Sequence, residues 1–150
     1  MQKSIMIFAI ICLVLAGFAL TMTTYSEINV SANINSSGSI TTSSPNIRVY
    51  SDSACTTTMA SVNWGSISAE GVATQTVYVK NTGAGTITLS LTTSNWNPAG
   101  ASTYIAISWS QQGAQLSTGQ AVAATITLTV SPSITGISSF SDTMTISGTD

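Results

Sequence analysis

Histidine is absent and charge is nearly so: three Lys or Arg and five Asp or Glu in 150 residues leave a net charge of −2. General acid–base chemistry near neutrality runs most often through histidine. The carboxylates Glu27, Asp52, Glu70, Asp142 and Asp150 are scattered, with no second acid at the close spacing a catalytic pair requires. Lys3, Arg48 and Lys80 are too few to form the basic patch that nucleic acid demands. There are two cysteines. Cys12 falls inside an apolar run and Cys55 in a polar loop-like stretch, so no disulfide framework is expected. CxxC and HExxH patterns are missing, and no glycine-rich loop leads from a strand into a helix. The expectation is a protein that is not an enzyme, with no catalytic residues, no metal or other cofactor and no small-molecule ligand. So few ionisable groups also predict a stability that changes little between about pH 3 and pH 7, because only groups whose proton affinity differs between folded and unfolded states contribute.

What remains is hydroxyls and hydrophobes. The chain holds 25 Ser and 24 Thr beside 43% hydrophobic residues. A disordered chain would lack the recurring Val, Ile, Leu and aromatic residues and would carry more net charge. At this length one core of ordinary size is expected. Residues 1–23 form a segment apart: Lys3 precedes the uncharged run Ile5–Leu20, and Gly17-Phe18-Ala19 supplies small residues at a cleavage-like spacing. That is the layout of a secretory signal peptide, with an uncleaved membrane anchor as the alternative. Either places the rest of the chain at the cell surface or outside the cell, with membrane contact through residues 5–22.

Residues 24–45 open with an unbroken period of two. Ile28, Val30, Ala32 and Ile34 are apolar and the intervening residues polar, as in a half-buried strand. Asn29 and Asn35 each begin an N-glycosylation sequon and share the polar side of that strand. The stretch S-S-G-S-I-T-T-S-S-P, 36–45, reads as a flexible linker. Whether the strand before it pairs within its own chain or with a neighbour is open at this level.

From residue 46 to 150 seven short strands are expected, at 46–50, 61–67, 72–80, 86–93, 104–110, 121–130 and 139–148. Gly, Pro, Asn and Ser clusters separate most of them. The spacing predicts an all-β, immunoglobulin-like antiparallel β-sandwich, although the Cys-Trp-Cys triad of true immunoglobulin domains is missing. Its core candidates are Trp64, Val77, Val79, Leu89, Leu91, Trp96, Trp109, Ile126, Leu128 and Ile146. The strongly amphipathic segments 74–79 and 86–91 read as a central hairpin.

The segments W-G-S-I-S-A-E-G-V-A-T-Q-T-V-Y-V-K-N-T-G, L-S-L-T-T-S-N-W-N-P-A, L-S-T-G-Q and T-M-T-I-S-G-T resemble the immunoglobulin-like domains of secreted archaeal surface proteins. Among these the chain looks like the subunits of bundling pili and thread filaments, which are similar to TasA/camelysin-type biofilm fibre proteins. The resemblance covers roughly residues 61–149 and extends to the amino-terminal part only by layout. It implies a homopolymeric extracellular filament in which each subunit donates an extended amino-terminal strand to its neighbour, with Ile28, Val30, Ala32 and Ile34 filling the groove. A membrane-anchored surface module that does not polymerise is the alternative.

Overall fold

Strand-forming β-branched residues at a period of two dominate the part of the chain that the structure, a computed structural model, describes: residues 34–42 and 46–149. They build nine strands: β1 (Ile34–Thr42), β2 (Ile47–Tyr50), β3 (Ser61–Ile67), β4 (Val72–Asn81), β5 (Ile87–Asn97), β6 (Ile105–Trp109), β7 (Gln115–Leu116), β8 (Ala121–Val130) and β9 (Ser139–Thr149). One short helix, α1 (Ala101–Tyr104), precedes β6. In β8 the period is clearest. Ala124, Ile126, Leu128 and Val130 are buried while Thr125 and Thr129 are exposed, so one face supplies the core and the other a hydroxyl surface.

The strands form two sheets, ordered β3-β1-β9-β5-β7 and β2-β4-β8-β6. The protein is therefore an all-β sandwich, as expected, with nine strands rather than seven. All pairings are antiparallel except β1 with β9, which run parallel. No two strands consecutive in the chain are hydrogen-bonded to each other, because every connection crosses from one sheet to the other. In the A-B-E-D and C-F-G order of immunoglobulin domains, A–B, D–E and F–G are neighbours; this chain keeps the two-layer architecture with an order of its own.

Three expectations need correction. Segments 74–79 and 86–91 are not a hairpin: β4 pairs with β2 and β8, and β5 with β9 and β7. Asn81-Thr82-Gly83-Ala84-Gly85 carries the chain between sheets, and the apolar faces of β4 and β5 meet across the core. Residues 36–42 are not linker but the body of β1, so the sandwich begins before residue 46. Of the core candidates, Trp64, Val77, Val79, Leu89, Trp109, Ile126, Leu128 and Ile146 are buried, whereas Leu91 and Trp96 are only partly buried and pack against the core from its margin. There the Trp96 ring stacks on Phe140 with centroids 5.7 Å apart.

Two polar clasps tie the layers together. Asn81 is fully buried at the end of β4, and its Nδ2 donates to the carbonyls of Gly85 at 2.7 Å and Leu116 at 2.9 Å, while its Oδ1 accepts from Gly83 N. Gln112 Oε1 accepts from both Trp109 Nε1 of β6 and Leu91 N of β5. Truncating Asn81 leaves buried carbonyls without a donor, each costing about 1–3 kcal/mol. Asn81→Ala is thus expected to lower unfolding free energy by about 2–3 kcal/mol in urea titration, whereas an effect within about 0.5 kcal/mol would show the clasp to be dispensable.

Candidate functional site

The first strand lies in the interior of the five-stranded sheet. Ser37, Gly38 and Ser39 pair with Asn63, Val62 and Ser61 on one side and with Ser141, Asp142 and Thr143 on the other. Without β1, β9 would present an unpaired edge and β3, the edge strand, would lose its only hydrogen-bonded neighbour in the sheet; β1 thus fills a slot of one strand's width between them. Side chains on the outer face lace the same seam. Ser39 Oγ lies 3.2 Å from Thr143 Oγ1, Thr41 Oγ1 lies 3.2 Å from Thr145 Oγ1, and Ser66 Oγ donates to Asn35 Oδ1 at 2.8 Å.

The inner face of β1 is formed by Ile34, Ser36, Gly38 and Ile40, all on the parity of the apolar positions 28–34. Ile34 has no exposed surface and pairs with Ile67. Between the two isoleucines the strand narrows to a serine and a glycine. What fills the space opposite them comes from the neighbours. In β9, Phe140, Asp142, Met144 and Ile146 all point inward. In β3 a bulge at Trp64-Gly65, with Gly65 at φ +70°, sets Ser36 opposite Gly65 and Ser37 opposite Asn63. Asn63 Oδ1 accepts from Gly65 N at 2.9 Å and stabilises that bend. The extra residue lets Trp64 and Ile67, three apart, both face the core.

Asp142 and Trp64 thereby meet the bare backbone of Gly38. A methyl built on Gly38 would stand 2.7 Å from Met144 Cε, 2.9 Å from Asp142 Oδ1 and 3.5 Å from Trp64 Nε1. Asp142 is 4% exposed, and both its carboxylate oxygens and the Trp64 indole nitrogen are buried with no hydrogen-bond partner among the described residues. Burial pushes the Asp142 carboxyl up to about 6, since the charged form loses its water and gains no cation among the described residues. Asp52 is the contrary case. In the loop after β2 it accepts from Thr57 N and Thr56 N, which hold its carboxyl below the ordinary range.

Of the residues singled out from the sequence as a donor strand, Ile34 is in the described part; Ile28, Val30, Ala32 and the sequon residue Asn29 lie outside it, as does the apolar run 5–22. Asn35 is exposed on the outer face, where its side chain accepts from Ser66. Among the described residues there is no group of three metal-ligating side chains, and no helix is long and apolar enough to cross a membrane. Sequence reading missed β1 because Ser36 and Gly38 break the apolar alternation, and missed Asp142 although its parity with Phe140, Met144 and Ile146 marks a core position. Comparison with protein-family models, with curated proteins and with solved structures finds no match to this chain.

Proposed function

We propose that the protein is a structural subunit of an extracellular filament, polymerising by passing its amino-terminal strand to the next copy. The observation that carries this reading is the seat of β1: the first described strand occupies a slot between β3 and β9 and is hydrogen-bonded on both sides. Every partner of β1 in that slot lies later in the chain. The same strand from another copy would make the same backbone bonds and bury the same side chains, which is the economy of strand exchange. Ile34, Ser36, Gly38 and Ile40 face inward, and in the sequence the apolar even positions run on back to Ile28, so the proposed donor strand extends past 34 to Thr42. An outer surface of Ser and Thr with almost no charge suits a protein whose stability rests on backbone pairing and burial.

Pairing of Ser39 with Thr143 across the parallel seam gives the test. In a chain carrying Ser39→Cys and Thr143→Cys, with Cys12→Ser and Cys55→Ser, oxidation on the cell surface is expected to yield a ladder of covalent oligomers on non-reducing gels. Crosslinked monomer alone would refute polymerisation through β1 and favour the membrane-anchored module.

A further inference from the structure

The recess beneath Gly38, lined by Asp142, Met144 and Trp64, offers a selection rule. We infer that Asp142, Met144 and Trp64 form a register lock, a recess that seats a β1 strand only where glycine stands opposite Asp142. The occupant is β1 of this chain or of a second copy. The inference deepens the filament reading by naming what the slot recognises, but the lock acts identically on a strand from either source.

The reasoning is steric and polar together. Two atoms stand closer to the missing Cβ of Gly38 than real Cβ contacts come, Met144 Cε and Asp142 Oδ1; both are side-chain ends, and because both side chains are buried a methyl here displaces them within the core rather than into solvent. A slip of two residues in one direction brings Ser36 to this point, and in the other direction Ile40, whose branched side chain has no space there. A slip of one residue turns the inward face outward. Asp142 and Trp64 add a second penalty. Their unpartnered polar atoms lie against the backbone of Gly38, so a bulkier apolar occupant would cover them further without supplying a hydrogen bond. An interior glycine normally weakens a strand and gains stability on replacement by alanine; the recess predicts the opposite sign here.

The test uses the full chain with the Ser39→Cys, Thr143→Cys pair, reading total crosslink at that seam, within and between chains, at limiting oxidation time. Gly38→Ala is expected to reduce the crosslink by about fivefold or more, as overpacking does. Adding Met144→Leu, which removes the Cε atom nearest the new methyl at nearly constant volume, is expected to restore it. Ser37→Ala, on the outer face of the same strand, should leave it unchanged. An unchanged or increased yield in Gly38→Ala would overturn the lock, as would a loss that Met144→Leu does not repair, including a failure to fold in both variants. A folded double variant beside an unfolded Gly38→Ala supports it. Ladder or monomer on the same gel reports separately on polymerisation, so either idea can fail without the other.

Discussion

Raising the pH from about 4 to about 8 is expected to destabilise this protein by on the order of 3 kcal/mol, the linkage value of a carboxyl moved from 3.8 to about 6 at roughly 1.4 kcal/mol per unit. Asp142 is the source. Below pH 3.8 both folded and unfolded chains hold the proton, and the stability is fully present. As pH rises from there toward 6 the unfolded chain ionises while the folded one stays neutral, so each unfolding event releases a proton and stability falls. Above the folded value both are ionised and the loss is complete. No described charged side chain offsets this: β1, β3 and β5 carry none, and Arg48 and Lys80 stand on the outward side of the opposite sheet. Asp52, whose carboxyl is lowered, acts with the reverse sign and only at the acid end, where its protonation removes the loop contacts. Thermal melts should show a midpoint lower by roughly 10 °C at pH 8 than at pH 4. Asp142→Asn should flatten the profile, since the amide stays neutral throughout. A flat wild-type profile, or a slope that survives the substitution, would clear Asp142 of this role. This result would replace the near-constant stability between pH 3 and pH 7 that composition alone suggests, because a count of charges does not reveal which one is buried.

The larger effect should come from Ile34. It is fully buried at the point where β1 enters the slot, opposite Ile67, and belongs to the largest apolar side chains without exposed surface. Ile34→Asp would remove about 1.5–3 kcal/mol of apolar burial and force a carboxylate into the same space without a partner. A total loss above about 4 kcal/mol is expected, which is the range of buried-charge substitutions. Ser37→Asp, three residues on but exposed on the outer face, should cost less than about 1 kcal/mol. Urea unfolding of the two variants measures the contrast directly. If the strand is also the filament's joint, Ile34→Asp should abolish oligomer ladders and Ser37→Asp should not; equal stability of the two would mean that β1 is not held in the slot by its inner face.

Much of the architecture was legible in local patterns. The seven expected strands all exist, two with the expected ends, because each carries its own alternation of Val, Ile, Leu or aromatic residues and is closed by turn residues whose backbone preferences act locally. The buried states of Val77, Val79, Leu89, Ile126, Leu128 and Ile146 followed from the same parity. The apolar run 5–22 and the sequon at Asn29 lie outside what the structure describes. Partnership was not legible. Strongly amphipathic strands adjacent in sequence invite pairing as a hairpin, yet β4 and β5 went to different sheets, because a strand's face states that it needs cover without stating whose. The same gap hid β1. A strand rich in Ser and Gly reads as linker until its neighbours are known, since its fit depends on the volume that Trp64, Asp142 and Met144 bring from 26 to over 100 residues beyond Gly38. Local chemistry therefore determined seven of the nine described strands and which of their faces are apolar. Only the tertiary structure decided which strands meet, that a Cβ at position 38 would crowd Met144 and Asp142, and that Asp142 gives up water without gaining a partner among the described residues.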